Sequence, residues 1–137
     1  MILLDTNVIS ETMRAQPETS VLLWFNAQVA ETLFLSSITV AELLLGIGVM
    51  PDGLRKRELA IKLDKLLDLF QMRILPFDDQ SARLYADLAV RARATGKGFP
   101  LPDGYIAAIA AASGFAVATR DTSAFVAAGV PVINPWG

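Results

Sequence analysis

The chain has 137 residues, which is enough for one domain of ordinary size and too few for two. Apolar residues make up 53% of the chain and charged residues 19%, a balance that excludes an intrinsically disordered protein. The 12 basic and 14 acidic residues give a net charge of −2, which argues against a protein that coats nucleic acid through bulk positive charge.

The absence of Cys and His restricts the chemistry that the chain can perform. Without them there is no disulfide framework, no zinc site built from the usual ligands and no Ser-His-Asp triad. The chain start has no basic segment before its short apolar run, and the long uncharged runs are too short for a membrane span. We therefore expect a soluble cytoplasmic protein without membrane association, whose chemistry depends on oxygen ligands.

Apolar runs of strand length alternate with helical patterns along the chain. The first strand is predicted at Ile2-Leu3-Leu4, a continuous apolar run typical of a strand buried on both faces. Further strands are predicted at residues 33–36, 73–77, 115–119 and 130–133. Helical periodicity is found between them at Val21, Leu22, Phe25 and Val29; at Leu59, Leu63, Leu66, Leu67 and Phe70; at Tyr85, Leu88, Ala89 and Ala92; and at Ile106, Ile109 and Ala110. This alternation predicts a three-layer α/β/α fold around a central parallel sheet of about five strands.

Acidic residues stand close to the ends of the predicted strands. Asp5 directly follows the first strand, and Asp121 follows the fourth. Glu42 comes shortly after the second strand, and Asp103 lies at the start of the helix that leads into the fourth. Ligands of open α/β sheets bind beyond the carboxyl ends of the strands, where the strand order reverses. If the chain winds outward in both directions from the first strand, these carboxylates meet at one edge of the sheet.

The same acids also have a purely structural interpretation. The segment Thr39–Glu42 matches a capping box, Asp103 follows Pro102 in a first helical turn, and Asp121 resembles an ordinary N-cap. The two roles are compatible, because helix N-termini favour ionised carboxylates and a divalent cation neutralises a cluster of them. With Asp and Glu as ligands, the expected ion is Mg²⁺ or Mn²⁺, which activates a water molecule for attack on a phosphodiester.

Motifs in the same four regions, quoted in chain order, resemble a known family. They are Leu3-Leu4-Asp5-Thr6-Asn7, Ser37-Ile38-Thr39-Val40-Ala41-Glu42-Leu43, Asp103-Gly104-Tyr105-Ile106-Ala107-Ala108 and Ala118-Thr119-Arg120-Asp121, with the terminal Asn134-Pro135-Trp136. Together they resemble the PIN domain of VapC-type toxins, and most closely its FitB branch. The resemblance covers essentially the whole chain and implies a single PIN-like domain over residues 1–137.

The resemblance implies an endoribonuclease that depends on Mg²⁺ or Mn²⁺ and hydrolyses RNA phosphodiesters with a metal-activated water. It also implies that the chain is the toxin of a bacterial type II toxin–antitoxin pair. The family's catalytic, metal-binding acids map onto Asp5, Glu42, Asp103 and Asp121. The implied partners are RNA and a VapB- or FitA-like antitoxin, within a homodimer or a toxin–antitoxin hetero-oligomer.

Three neighbours of these acids have expected supporting roles. Thr6 and Asn7 match the residues that follow the family's first acid and are expected to orient Asp5 or a water; their alternative role is to cap the first helix. Arg120 is expected to bind a substrate phosphate or to pair with nearby acids. Many relatives carry another acid three residues after the Asp121 position, where this chain has Ala124. Whether Asp121 is a direct ligand therefore stays open.

Two other functions remain open at this level. A phosphoacceptor domain of the receiver type needs an acidic pair after the first strand and a lysine after a late strand, but Asp5 is followed by Thr6, and Arg120 stands where the lysine is expected. A second acidic pair, Asp78-Asp79, is better explained as a cap of the helix predicted at residues 81–94. The other alternative is a catalytically silent protein-binding α/β domain whose acids only cap helices.

One helical segment is apolar on nearly every side. Its apolar residues are Leu43, Leu44, Leu45, Ile47, Val49 and Met50. Either a core helix or a groove for an antitoxin segment or a dimer contact explains such a pattern. The side chains Trp24 and Trp136 are interpreted as packing residues.

Overall fold

The computed structural model describes residues 1–96 and 98–137. Within these ranges five short strands and seven α-helices alternate, as the sequence pattern predicts. The elements are β1 (Ile2–Leu4), α1 (Thr6–Thr12), α2 (Thr19–Ala27), a 3₁₀ turn (Ala30–Thr32), β2 (Leu33–Ser36), α3 (Ser37–Gly48), α4 (Leu54–Leu69), β3 (Ile74–Leu75), α5 (Asp79–Ala94), α6 (Leu101–Ser113), β4 (Ala116–Ala118), α7 (Thr122–Ala127) and β5 (Val132–Ile133).

The strands form one sheet in the order β3-β2-β1-β4-β5, and all neighbouring pairs are parallel. The chain therefore winds outward in both directions from β1. In the central pair, Leu3 lies opposite Val117 and Leu4 lies opposite Ala118. Because the connections that follow β1 and β4 lead to opposite edges of the sheet, the space beyond the carboxyl ends of these strands is the topological switch point.

Successive residues of the central strands contribute to different cores. Leu4 and Ala118 belong to a core that includes residues of α1, α2, α3 and α4. Leu3 and Val117 belong to a second core with residues of α6 and α7. Since neighbouring side chains of a strand point to opposite faces, the two cores lie on the two sides of the sheet. The predicted three-layer architecture is confirmed, and burial on both faces explains why β1 is a continuous apolar run.

The two edge strands are shorter than the sequence pattern predicts. β3 covers Ile74–Leu75 of the predicted 73–77, and β5 covers Val132–Ile133 of the predicted 130–133. Beyond β3, the ring of Phe77 packs against Tyr105 with centroids 4.7 Å apart instead of extending the strand. Before β5, Pro131 has no N–H to donate to a ladder, although its carbonyl accepts the N–H of Val117 at 2.9 Å.

Helix α3 begins before the predicted capping box. The N-cap is Ser36, whose hydroxyl oxygen accepts the backbone N–H of Thr39 at 3.0 Å. Thr39 is therefore inside the helix, and the predicted Thr39–Glu42 capping box is wrong. The hydroxyl of Ser36, the last residue of β2, reaches the free N–H groups of the helix first. The carboxylate of Glu42 is consequently not used as a cap.

Helix α5 shows that the Asp78-Asp79 pair has a structural role. The carboxylate of Asp78 is the N-cap and accepts the N–H of Ser81 at 2.9 Å. The side chain of Asp79 pairs instead with Arg83, 3.0 Å away on the next turn. The capping interpretation is confirmed for Asp78 but not for Asp79, and the helix begins at Asp79 instead of residue 81.

Only one side of the apolar helix α3 is buried. Leu43 is in the core, whereas Leu44, Leu45 and Val49 are 51%, 67% and 74% exposed. The core-helix interpretation therefore explains one face of α3, and an open apolar face remains. Among the helices of the described ranges, none combines the length and the apolar character needed to cross a membrane.

Candidate active site

Asp5 lies where β1 ends and α1 begins, and its side chain is fixed from several directions. Its backbone N–H donates to the carbonyl of Ala118 at 2.9 Å, which attaches it to β4. Its Oδ1 accepts the N–H of Thr6 at 2.8 Å, so Asp5 itself is the N-cap of α1. The alternative capping role of Thr6 and Asn7 is therefore wrong. Asp5 is only 4% exposed, and its carboxylate is held rigidly at the switch point.

Thr119, the first residue after β4, joins several parts of the site through a buried hydroxyl. This hydroxyl donates to Oδ2 of Asp5 at 2.8 Å. Its oxygen accepts the side-chain amide of Asn7 at 3.2 Å and the backbone N–H of Asp121 at 3.1 Å. Sequence reasoning gave Thr119 no role, although its position directly after a central strand was a signal for one.

Glu42 is connected to the same region by Thr6. The hydroxyl of Thr6 donates to Oε1 of Glu42 at 2.7 Å and lies 3.1 Å from the hydroxyl of Thr39. Glu42 belongs to the second turn of α3, so this bond links α3 to the start of α1. Thr6 thus contacts two of the predicted acids, Asp5 through its N–H and Glu42 through its hydroxyl.

The structure brings the four predicted acids to one cavity of about 500 Å³. Asp103 reaches it from the first turn of α6, and Asp121 reaches it from the N-cap position of α7, where its side chain makes no capping bond. The lining residues are Asp5, Thr6, Asn7, Ser10, Glu11, Arg14, Glu42, Asp103, Arg120, Asp121 and Trp136. That these acids are catalytic metal ligands remains a prediction.

The ionised form of Asp5 is disfavoured by its surroundings. Burial raises the pKa of Asp5, and the hydrogen bonds from Thr119 and Thr6 oppose that rise. The negative charges of Glu42 and Asp121 raise the pKa of Asp5 further. The carboxylates are therefore close enough to repel one another.

The pKa of Asp103 is raised by the same surroundings. Burial, followed by the charges of Asp5, Asp121 and Glu42, raises its pKa to about 6. Among the described lining residues the cavity thus has five carboxyl groups and only two cationic side chains, Arg14 and Arg120. A bound cation is the direct way to relieve this repulsion.

The donor atoms suit a hard divalent cation, because the acidic lining supplies carboxylate oxygens. In residues 1–96 and 98–137, however, no group of three or more acidic side chains is already arranged to hold an ion. The volume of the cavity, about 500 Å³, leaves room for water ligands, and Mg²⁺ commonly keeps several of them and takes only one or two carboxylates directly. The residues present fit a partly hydrated ion better than a closed protein cage.

Arg120 and Trp136 form part of the cavity wall. The guanidinium of Arg120 lies over the Trp136 ring, 5.3 Å from its centroid, which is a cation–π arrangement. The backbone N–H of Arg120 donates to Oδ1 of Asn7 at 3.3 Å. Trp136 also packs against the core, so interpreting it as a packing residue is correct but incomplete. The side-chain amide of Asn7 also lies 3.5 Å from Oδ2 of Asp5, so Asn7 connects Asp5, Thr119 and Arg120.

Three further lining residues, Ser10, Glu11 and Arg14, were missed by sequence reasoning. With Asn7 they recur at intervals of three or four residues along and just beyond α1, which places them on one side of that helix. This polar stripe was visible in the sequence. It has no long apolar stripe beside it to mark a helix, because α1 is only seven residues long.

Comparison with known proteins identifies the fold family. The sequence model of the PIN domain matches residues 2–130. This chain belongs to the PIN-domain family. The PIN domain described here is 53% identical to the VapC ribonuclease Y4jK of Sinorhizobium fredii, over 99% of this chain and 98% of that protein. It is 49% identical to Toxin FitB of Neisseria gonorrhoeae, over 99% of both chains.

A solved structure agrees with this assignment. The crystal structure of FitAcB from Neisseria gonorrhoeae superposes on this PIN domain with a TM-score of 0.95 and 49% identity, covering 99% of each chain. The predicted resemblance to the PIN-domain toxins is confirmed, as is the fold class. The receiver-type alternative loses its support, because the whole chain follows a different family.

Proposed function

We propose that this protein is a metal-dependent endoribonuclease that acts in the bacterial cytoplasm as the toxin of a VapBC-like toxin–antitoxin pair. The observation that carries the proposal is the meeting of Asp5, Glu42, Asp103 and Asp121 in one cavity at the switch point between β1 and β4. The relatives named VapC ribonuclease and Toxin FitB, which match the chain from end to end, support the same function.

In this proposal the four carboxylates hold Mg²⁺ or Mn²⁺. When bound, such an ion would supply a water molecule of lowered pKa and would offset the negative charge on the phosphate oxygens. The carboxylate of Asp5 has a fixed orientation in the site, because the N–H of Thr6 and the hydroxyl of Thr119 each donate to one of its oxygens. The hydroxyl of Thr6 sets the position of Glu42.

Asp121 has an outer role in the proposed site. It is exposed, and its backbone N–H rests on Thr119 while its carboxylate lies 3.4 Å from the hydroxyl of Ser123. No capping bond holds its side chain, so this carboxylate would be able to turn toward the ion. Arg120, steadied by the Trp136 ring, donates hydrogen bonds to a phosphate oxygen of the RNA.

The proposed protein partner is an antitoxin of the VapB or FitA kind. A second cavity of about 220 Å³ shares Thr6, Ser10, Arg14 and Glu42 with the acidic cavity and continues over apolar residues of α3 and α4. A polypeptide segment lying there covers the approach to the acids. The exposed apolar side chains of α3 supply surface for that contact or for a homodimer.

Cleavage of mixed RNAs by the purified protein tests the proposal. We expect fragments with Mn²⁺ or Mg²⁺, none with EDTA, and none from Asp5→Asn with either ion. The matched control is Asp79→Asn, which changes an exposed carboxylate paired with Arg83 on α5 and should cleave like the wild type. Cleavage that persists in EDTA or in Asp5→Asn contradicts the mechanism. Folded wild-type protein with no metal-dependent cleavage supports the silent binding domain instead.

A further inference from the structure

Glu11 is a buried carboxylate in the cavity wall that the proposed mechanism does not use. The residue is 6% exposed and lies in the last turn of α1. Its Oε2 accepts the backbone N–H of Glu18 at 3.0 Å, and both of its oxygens lie 3.3 Å from Nη1 of Arg14. An acid that is removed from water needs such partners, because an unpaired buried charge is strongly destabilising.

Arg14 is the exposed member of this pair. Its side chain is 64% exposed, against 7% for Glu11. Only Nη1 contacts Glu11, and the other guanidinium donors of Arg14 have no protein acceptor within residues 1–96 and 98–137. A guanidinium that is fixed through one nitrogen and open at the others presents a planar set of donors to an oxyanion.

The exposed guanidinium of Arg14 lies beside the acidic cavity. Arg14 lines both the acidic cavity and its apolar neighbour, so it stands where the two join. The acidic cavity has one other cationic lining residue among those described, Arg120. A phosphate chain that approaches four carboxylates is repelled unless cations hold it on the way in.

The charges around Glu11 are consistent with a pair held at this junction. The N–H of Glu18 lowers the pKa of Glu11, and the hydrogen bond and charge of Arg14 lower it further. The charge of Arg120 makes a smaller contribution in the same direction. Glu11 is therefore ionised at neutral pH and lies within electrostatic reach of both arginines.

We propose that Glu11 is a positioning residue that holds Arg14 at the mouth of the acidic cavity, where Arg14 binds a phosphate flanking the scissile one in the RNA strand. This inference rests on the proposed function and adds to it a second phosphate contact. Arg120 binds at the reacting phosphate, and Arg14 binds further along the strand, toward the apolar cavity.

The substitution Glu11→Gln separates positioning from simple charge. Glutamine keeps an oxygen that accepts the N–H of Glu18 but loses the charge that holds Arg14. By charge alone, removing an acid near the strand tightens RNA binding. If Glu11 positions Arg14, the substitution weakens RNA binding, because Arg14 is no longer held at the phosphate. We expect Kd for RNA to rise about three- to fivefold. In an Arg14→Gln background there is no guanidinium left to position, so Glu11→Gln should no longer weaken binding.

Binding is measured with fluorescently labelled single-stranded RNA in Mg²⁺ over a range of salt concentrations, on Asp103→Asn protein that does not cleave. We expect Arg14→Gln to reduce the slope of log Kd against log salt by about 0.7, the value for one single-strand phosphate contact. In otherwise wild-type protein, Arg14→Gln should raise KM several-fold and change kcat less than twofold. The control Arg83→Gln alters an exposed arginine of α5 and should leave both measurements unchanged.

Three results overturn the inference: tighter binding by Glu11→Gln, an unchanged salt slope for Arg14→Gln, or an Arg83→Gln effect as large as that of Arg14→Gln. Thermal unfolding accompanies each variant, and the exposed Arg14→Gln remains a valid test if Glu11→Gln does not fold. If the wild type cleaves RNA in Mg²⁺ while Arg14→Gln keeps its salt slope, only this inference fails. If the wild type neither binds nor cleaves RNA, the proposed function fails with it.

Discussion

The hydroxyl of Thr119 donates a 2.8 Å hydrogen bond to Oδ2 of Asp5, joining residues that lie 114 positions apart in the chain. The two residues directly follow β4 and β1, which pair in parallel at the centre of the sheet. A carboxylate that faces a group of other acids thereby keeps a fixed orientation. The proposed site depends on this link, since Asp5 is its most buried carboxylate.

We predict that Thr119→Val weakens metal-dependent cleavage without abolishing folding. Valine has nearly the same shape but removes the donor to Asp5 and leaves the N–H of Asp121 without its acceptor. We expect a stability loss of about 1–2 kcal/mol, from the lost hydrogen bonds, and a metal requirement raised about tenfold or more. Thermal unfolding and the Mn²⁺ dependence of cleavage measure the two effects.

The control for this change is Thr32→Val. Thr32 bonds only the carbonyl of Val29 in its own turn, with a distance of 2.6 Å, and lies outside the acidic cavity. The substitution Thr32→Val should therefore leave the Mn²⁺ requirement of cleavage unchanged. An equal shift in both variants means that Thr119 acts on stability and not on the site.

We predict that Asp103→Asn abolishes cleavage and stabilises the metal-free protein at pH 7. The pKa of Asp103 rises from its ordinary value of 3.8 to about 6 in the folded protein, so the fold binds this proton more tightly than the unfolded chain. The wild type therefore loses stability as pH rises from about 4 to about 6, and the loss is complete above that window. The full pKa shift corresponds to about 3 kcal/mol in the free energy of unfolding. Solvent screens this partly exposed group, so we expect Asp103→Asn to raise the free energy of unfolding by about 1 kcal/mol.

Unfolding in EDTA as a function of pH checks this prediction. The difference in the free energy of unfolding between the wild type and Asp103→Asn should grow between pH 4 and 6 and then stay constant. Asp78→Asn is an informative contrast, because the N–H of Ser81 lowers the pKa of Asp78, so its loss should destabilise the protein at neutral pH. A variant of Asp103 that loses stability at pH 7 contradicts the charge repulsion inferred for the cavity.

We predict that Gly104→Ala disturbs the site from within α6. A Cβ at this position meets Cε1 of Tyr85 at 2.8 Å and Cβ of Phe99 at 3.2 Å. The clash should cost about 1–3 kcal/mol, which exceeds the gain of about 1 kcal/mol from alanine in a helix, and it should displace the neighbouring Asp103. Gly46→Ala, in α3, meets nothing within 4 Å and should be stabilising. Equal effects of the two substitutions on unfolding temperature contradict this steric argument.

We predict that Trp136→Leu weakens RNA cleavage by releasing Arg120. Leucine preserves an apolar contact with the core but removes the ring that lies 5.3 Å below the guanidinium. The loss of a cation–π contact is worth about 0.5–1 kcal/mol, which corresponds to a KM raised two- to fivefold. Steady-state kinetics measure this rise in KM. The control Trp136→Phe keeps an aromatic ring under Arg120 and should keep KM close to the wild-type value. A change in kcat alone, with KM constant, contradicts this role.

The sequence alone was sufficient for the parts of the fold that depend on long, regular patterns. The run Ile2-Leu3-Leu4 marks a strand because both of its faces are buried, and Asp5 marks its end because a charge cannot continue that run. The neighbouring positions of β1 and β4 follow from the general behaviour of parallel sheets. That relationship led to the prediction that the acids meet.

Other features depend on distances that no local pattern encodes. The start of α3 was misplaced because Ser36 and Thr39 both qualify as caps by residue type, and the geometry of the β2–α3 junction decides between them. Thr119 and Glu11 were missed because their importance comes from partners far apart in the chain or across a turn. Short edge strands are likewise set by what packs next to them.

Anomalous scattering from crystals of the wild-type protein soaked with Mn²⁺ locates the ion itself. We expect one or two peaks in the cavity at the ends of β1 and β4, with a carboxylate oxygen of Asp5 or Asp103 within about 2.3 Å, close to the usual metal–oxygen distance. The peaks should vanish in crystals of Asp5→Asn. Peaks confined to other surfaces, or a cavity peak that persists when Asp5 and Asp103 are both replaced by asparagine, contradict the convergence of these acids on a divalent ion.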